Sequence, residues 1–287
     1  MLVMNSNLRV SLVIPVYNEV ERIHDCLTAV AHQTVRPYEV IVVDNNSTDG
    51  TAAIAAAFPF VRVIRERRQG VVHARDAGFS TARGDVIARI DADTLIDANW
   101  IETLGQLFAD PSLDLVTGAV TIREVCAARL ASRLDLFWRR YLYKRLGSSV
   151  GLQGANMALR RGVWRTIRSE VCHQAGLHED FDIGLHARRH GFTARFDENM
   201  RVSLCHRQAD TSFKRFTQYA LASPRTYLYH GVREGRVMYR VVVFVIVLYP
   251  IIRLLVRGYD QRLGRFSIVK LFDSSLPPRV NPATYVD

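Results

Sequence analysis

Two carboxylates stand one residue apart at Asp91 and Asp93, separated by Ala92, where the apolar run DVIARIDAD stops. Acids that close repel each other unless a cation sits between them. A hard divalent ion such as Mg²⁺ or Mn²⁺ suits these oxygen ligands and keeps positions open for phosphate oxygens. By itself the pair also fits a simple turn cap. A second acid pair, Glu179-Asp180, opens a segment with Phe181 and Leu185 at helical spacing and Gly191 as a stop, where acids favour a helix N-terminus. His186 and His190 stand four apart on that segment, and Cys172 and His173 precede it. No H-E-x-x-H pattern or third ligand accompanies either set, so a solvated helix face is expected there rather than zinc. The chain has no G-x-x-x-x-G-K-S/T loop and no G-x-G-x-x-G fingerprint, which argues against kinase, ATPase and dinucleotide chemistry.

These residues need a scaffold, and the first half of the chain alternates strand and helix signals. Val10 to Ile14 is a continuous apolar run suited to a strand buried on both faces, and Glu39 to Val43 is a second strand ending at Asp44. Ile23, Cys26, Leu27 and Val30 between them trace the apolar stripe of a helix. The turn Asn45 to Gly50 offers side-chain caps to a helix over Thr51 to Ala57. Val61 to Ile64, Gly70 to Thr81 and Val86 to Ile90 continue as strand, helix, strand. Asp97 or Asn99 then caps a helix carrying Ile101, Leu104, Leu107 and Phe108, and Leu113 to Val120 returns to strand. This order predicts an α/β fold: a mostly parallel open sheet with helices on both faces and a Rossmann-like nucleotide-binding half. Ligands of such sheets bind beyond the carboxyl ends of the strands, which points to Pro15 to Glu19, Asp44 to Ser47 and Asp91 to Thr94.

The chain has 287 residues and a formal net charge of +10, carried almost wholly by arginine, since Lys144, Lys214 and Lys270 are its lysines. That charge favours phosphate-rich partners, but no recognisable nucleic-acid module or basic-aromatic platform supports nucleic acid. Cys26, Cys126, Cys172 and Cys205 lie far apart, and the first residues carry no secretory pattern, so a reduced cytoplasmic setting is expected. Two segments suit a membrane surface. Ala127 to Arg145 reads as a basic amphipathic helix with aromatics, with a helix packed on its own domain and a solvated basic face as the alternative. Val237 to Val256 is apolar, broken by Arg240 and Arg253 and bent by Pro250. Its uncharged stretch is shorter than the ~20 residues a spanning helix needs, so it reads as interfacial or re-entrant, with a buried core helix or strand pair as the alternative.

Several strings taken together, VSLVIPVYNE, VIVVDNNSTDGT, Gly70 to Gly84, IDADT, GANMALRR (Gly154 to Arg161) and HEDFDIGLHARRHGF (His178 to Phe192), resemble the family 2 glycosyltransferases of GT-A fold. The likeness runs from about Val10 to His206. It implies one glycosyltransferase domain over residues 1–235, with 8–120 as the nucleotide-sugar half and 121–235 as the acceptor and catalytic-base half. Residues 236–287 then form an apolar, basic, membrane-associated segment.

The resemblance also assigns roles. Pro15, Tyr17, Asn18 and Glu19 form the first nucleotide loop, and Asp44 meets the base or ribose, a task suited to a carboxylate. Asn45 stands where the family usually has a second acid. Arg75 faces the nucleotide or its diphosphate. Asp91, Ala92 and Asp93 form the D-x-D site for Mn²⁺ or Mg²⁺, with His206 completing the metal shell or touching the diphosphate. Glu179-Asp180 supplies the catalytic base, with Asp180 as the residue that takes the acceptor's proton. Asn156 lines the acceptor side, whereas Trp164 reads as packing.

The expected activity is inverting, metal-dependent transfer from a UDP- or GDP-sugar to a lipid-linked or glycan acceptor. The expected location is peripheral, on the cytoplasmic inner face of a membrane. The alternatives are a soluble enzyme using a non-lipid acceptor, or a nucleotidyltransferase of related fold. The latter would want a glycine-rich, lysine-bearing loop where PVYNEVER stands.

Overall fold

A computed structural model describes residues 8–122, 136, 140, 151–204, 212–233, 235–260 and 265–268. The chain order begins β1 (Val10–Val16), α1 (Ile23–Ala31), β2 (Glu39–Asp44), α2 (Thr51–Ala56), β3 (Val61–Arg65), α3 (Val71–Thr81), β4 (Val86–Arg89), β5 (Thr94–Ile96) and α4 (Trp100–Leu107). It continues with β6 (Leu115–Ile122), β7 (Met157–Arg160), α5 (Arg161–Ile167), α6 (Glu179–Arg189), β8 (Ala194–Leu204), α7 (Phe213–Tyr229), α8 (Gly235–Arg257), β9 (Tyr259–Asp260) and β10 (Arg265–Phe266). The small pair β9–β10 stands apart from the main sheet.

The main sheet has eight strands in the order β3-β2-β1-β4-β7-β6-β8-β5. β1 to β4 form a parallel block, as their unbroken apolar runs predict. The second half departs from the expected parallel pattern. β7 runs against both β4 and β6, and β5 runs against β8, so the sheet is mixed.

Strand alternation divides the core in two. Leu12, Ile14, Val40, Val42 and Ala88 face α1 and α4 through Ile23, Leu27, Trp100 and Leu104. Val13, Ile41, Val43 and Ile87 face α3, α5 and α6 through Phe79, Trp164 and Ile183. Helix α3 lies close on the sheet because Gly78 has no side chain; a Cβ there would overlap Val13. Trp164 is buried edge-on against Phe79, the packing role expected of it.

The two expected helix caps fare differently. α2 follows Gly50 in left-handed backbone, and the Asp49 carboxylate of the polar turn accepts the Thr51 N–H at 3.0 Å. At α4 neither Asp97 nor Asn99 caps through its side chain; Gln33, just beyond α1, accepts the Ile101 N–H instead, at 3.0 Å. The apolar segment from Val237 is one continuous helix, α8, that carries Pro250 within it, so it is not a strand pair. It packs on α7, where Tyr249 is buried and stacked on Phe216, while Val237, Phe244, Val247, Ile251 and Leu254 stay exposed. Among the described residues, no helix is long and apolar enough to cross a membrane. The basic amphipathic helix expected over Ala127 to Arg145 lies outside the described residues except at Leu136 and Arg140, and His206 lies outside them as well.

Candidate active site

The loops after β1 and β2 are zipped together at the carboxyl ends of their strands. Asn18, in left-handed backbone at φ 53°, donates its N–H to the Ser47 hydroxyl (3.1 Å) and accepts the Thr48 N–H at its amide oxygen (2.8 Å). Glu19 donates its N–H to the Thr51 hydroxyl (2.8 Å), and Val20 to the Asp49 carboxylate (3.1 Å). The polar turn Asn45 to Gly50 therefore holds the neighbouring loop, while its Asp49 carboxylate also accepts the Thr51 N–H (3.0 Å) at the start of α2. Asp44 is buried at the end of β2, where its carboxylate accepts the Ser47 N–H (3.0 Å). Pro15 pairs across to Val43 at the end of β1, and Tyr17 is half-buried beside it.

Asn45, next along the chain, is hydrogen-bonded within the protein. Its amide donates to the Glu66 and Arg68 carbonyls (3.0 and 2.7 Å) and accepts the Gly70 N–H (2.7 Å), fixing the loop that leads into α3. Both amide hydrogens are spent inside the protein. A neutral residue fits that place better than the acid the family usually has, because a carboxylate could not donate to two carbonyls.

Asp91, Ala92 and Asp93 form the tight turn between β4 and β5, closed by the Thr94 N–H donating to the Asp91 carbonyl (3.1 Å). The Asp91 side chain is 35% exposed, Asp93 is buried, and the Ala92 methyl points into the core. Burial raises the nearby Cys26 thiol far above its ordinary pKa, and the charges of Asp93, Asp91 and Glu19 raise it further. That field marks a converging set of carboxylates at the strand mouth. Hard oxygen donors with one carboxylate open to solvent fit a divalent cation.

An arginine that the sequence reading passed over organises this site. Arg89, the last residue of β4, is 2% exposed. It donates to Glu179 Oε1 at 2.5 Å and to Asp91 Oδ1 at 3.1 Å, joining the D-x-D turn to the acid pair of α6. Gly154 makes room for it, since a Cβ there would sit 2.8 Å from the guanidinium carbon. The available signal was a lone arginine inside an otherwise apolar strand two residues before Asp91, because a buried charge must be paired.

Arg75 is fully buried, behind the site rather than at its mouth. It donates to the Glu179 carbonyl (2.8 Å), to Glu179 Oε2 (3.1 Å) and to Asp76 (2.8 Å). Its guanidinium thus meets protein carboxylates where the sequence reading expected a nucleotide. Asn156 likewise departs from its expected place on the acceptor side. It is fully buried, donating to the Ala119 and Met200 carbonyls (3.0 and 2.9 Å) and accepting the Trp100 indole N–H (3.0 Å). It ties β6, β8 and α4 together.

The acid pair splits into two environments. Burial works to raise Glu179, but Arg89 and Arg75 outweigh it and hold its carboxyl below the usual range. Asp180 goes the other way: burial first, then the adjacent Glu179 charge, pushes it up. Its carboxylate accepts the Gly154 N–H (2.8 Å) and the Phe181 N–H (2.9 Å), at the first turn of α6. Of the two acids, Asp180 makes its hydrogen bonds to backbone N–H groups and Glu179 makes its bonds to guanidiniums.

This arrangement agrees with what the chain is similar to. Residues 11–168 match the family described as Glycosyl transferase family 2, and the chain belongs to that family. The glycosyltransferase AglE of Haloferax volcanii is 34% identical over 161 residues, covering 54% of this chain and 53% of its own. An undecaprenyl-phosphate 4-deoxy-4-formamido-L-arabinose transferase of Pseudomonas syringae pv. syringae is 35% identical over 150 residues, covering 49% of this chain and 41% of its own. The chain thus spans about half or less of the length of these curated relatives. Among solved structures, a mannosyltransferase of Pyrobaculum calidifontis in complex with GDP-Man and Mn²⁺ superposes with a TM-score of 0.60 at 19% identity, covering 87% of this chain and 72% of its own. TarS of S. aureus in complex with UDP-GlcNAc gives 0.56 at 16% identity, covering 80% and 69%. The fold is GT-A, with the mixed sheet described above.

Proposed function

We propose that the chain catalyses inverting transfer of a sugar from a UDP- or GDP-sugar to an acceptor hydroxyl at the cytoplasmic face of a membrane. One observation carries the reading: Arg89 bridges Asp91 to Glu179, so the D-x-D turn and the α6 acid pair are held side by side. The zipped loops Asn18 to Val20 and Asp44 to Thr51 hold the nucleotide, with Asp44 toward the base or ribose. Asp180 accepts the acceptor's proton as its oxygen bonds to the anomeric carbon. The bond from that carbon to the donor's diphosphate breaks, and the nucleoside diphosphate leaves with the electron pair. Mn²⁺ or Mg²⁺ held by Asp91 and Asp93 would supply charge to neutralise that leaving group. Glu179, clamped by two guanidiniums, orients the start of α6 and keeps Asp180 high enough in pKa to act as base.

A lipid-linked acceptor is favoured by the exposed apolar face of α8, which suits an interfacial helix, and by the undecaprenyl-phosphate transferase among the relatives. The mannosyltransferase bound to GDP-Man and Mn²⁺ supports the donor class and the cation. A thermal-shift panel of nucleoside diphosphates with and without Mn²⁺ tests both at once. Stabilisation by one diphosphate only in the presence of Mn²⁺ is the expected result, and equal stabilisation with chelator present would refute the cation assignment.

A further inference from the structure

Away from the sugar-nucleotide site, four side chains of metal-ligand type converge behind α6. Cys172 lies in the loop after α5, Asp182 and His186 are one turn apart on α6, and His230 ends α7. One ligand atom from each lies within 4.8 Å of all the others. His186 Nε2 is 3.4 Å from Asp182 Oδ1, His230 Nε2 is 2.7 Å from the same oxygen, and Cys172 Sγ is 4.0 Å from His230 Nε2. Tetrahedral ligands bonded at ~2.0–2.3 Å lie about 3.3–3.7 Å apart. The four atoms thus already bracket that spacing, and changes in separation of up to about 1 Å would meet it. We propose that Cys172, Asp182, His186 and His230 form a structural zinc site that pins the α5–α6 loop and the end of α7 to α6.

Three features separate this cluster from an ordinary buried hydrogen-bond network. His186 is 4% exposed, yet neither of its ring nitrogens makes a hydrogen bond of good geometry. A buried unsatisfied polar group of that kind asks for a partner, and an ion supplies one. The outer contacts are also those of a metal site. Glu170 Oε2 lies 3.4 Å from His186 Nδ1, so it can fix the tautomer that turns Nε2 inward. The Cys172 N–H donates to Asp182 Oδ2 at 2.9 Å and leaves Oδ1 facing the cluster. Finally, the charges balance, since one thiolate and one carboxylate neutralise a divalent ion, a condition for burying it. Thiolate and imidazole donors select zinc over the hard cation expected at Asp91 and Asp93. Four protein ligands leave no open position, so the site is structural rather than catalytic. It stands one turn from Glu179 and Asp180 and would stiffen the helix that presents them.

The test is a Co²⁺ titration of the untagged full-length protein after chelator dialysis, followed by Zn²⁺ competition. One equivalent of Co²⁺ is expected to give tetrahedral visible bands with a thiolate-to-metal charge-transfer band, and Zn²⁺ is expected to displace it. Cys172→Ser should abolish the charge-transfer band. His230→Gln should weaken Zn²⁺ binding by more than the ~10–100-fold that loss of an outer-shell partner costs. The double variant Asp91→Ala/Asp93→Ala should keep the full signal, which separates this site from the one at the strand mouth. Absence of a charge-transfer band in the wild-type protein, or its persistence in Cys172→Ser, overturns the proposal. If Cys172→Ser does not fold, the wild-type spectrum and His230→Gln decide the matter.

Discussion

Replacing Arg89 with methionine removes one charge from the centre of the ion-pair network while keeping an unbranched apolar stem in place of the arginine's methylenes. The Arg89 side chain is 3% exposed and its partner Glu179 is 11% exposed, so solvent cannot stand in for the lost guanidinium. Breaking a buried pair from one side costs ~3–5 kcal/mol, because the surviving charge is left uncompensated. Here Arg75 still holds Glu179 at 3.1 Å, which places the expected loss near the lower end, about 3 kcal/mol. For a chain of this size that corresponds to a fall in Tm of about 6–12 °C. Guanidinium chloride denaturation of Arg89→Met, Glu179→Gln and the double variant supplies the measurement. The double variant should recover part of the loss, with a coupling of ~0.5–3 kcal/mol. The sign of the pH dependence follows from the lowered pKa of Glu179. Its contribution is fully present above the unfolded glutamate value of ~4.3 and is lost as pH falls through the lower folded value. The deficit of Arg89→Met should therefore shrink as pH falls below the ordinary glutamate range and through the lowered folded pKa of Glu179. Additive variants, or a deficit equal at neutral and acid pH, would refute the electrostatic argument.

Four further outcomes are expected. Asp91→Ala or Asp93→Ala should abolish Mn²⁺-dependent stabilisation by nucleoside diphosphate with the fold retained, as checked by circular dichroism and thermal shift. Asp180→Asn should lower turnover ~10²–10⁴-fold at nearly constant calorimetric affinity for the donor nucleotide. In the wild-type enzyme, turnover should rise with pH through a value above the ordinary aspartate range, because the base works only when deprotonated and its pKa is raised. Replacing Phe244, Val247 and Ile251 with serine should weaken sedimentation with anionic vesicles at least ~10-fold without changing nucleotide binding.

Local pattern made the parallel half of the sheet legible. Val10 to Val16 and Glu39 to Asp44 announce themselves through apolar runs that end in polar turns, and the D-x-D follows β4 as expected. The helical reading of residues 179–191 was equally local. What escaped were partners distant in sequence. Asn45 and Asn156 look like ligand-facing polar residues, yet each satisfies backbone groups of other segments in the folded chain. His186 was paired by spacing with His190, and a solvated face was expected. In the fold it turns inward to Asp182 and toward His230, 44 residues along the chain, while His190 bonds to Glu170. The antiparallel course of β7 and β5 has the same origin, since strand direction is set by the connections and not by the strand's own residues.

The proposed roles of the two adjacent acids rest on the same long-range contacts. Glu179 and Asp180 are neighbours with like charges, so charge and spacing do not separate them, and the choice of Asp180 as base comes from the family resemblance. The fold separates them by what each meets. Glu179 turns to Arg89 and Arg75, two buried cations that hold it ionised and make it a poor base. Asp180 accepts backbone N–H groups from Gly154 and Phe181, and burial with the repulsion of Glu179 outweighs the pull of His178 and Arg89. Two carboxylates pushed apart in pKa by their surroundings can divide the work, one as a fixed charge and the other as proton acceptor. The division also explains why Arg89 matters beyond stability. Without it the Glu179 charge would be less well neutralised, the repulsion felt by Asp180 would grow, and its pKa would climb further. Arg89→Met should then move the acid limb of the rate profile to higher pH, whereas Asp180→Asn should remove that limb. A profile unmoved in Arg89→Met would mean that Asp180 does not sense the network, and the assignment of the base would fall with it.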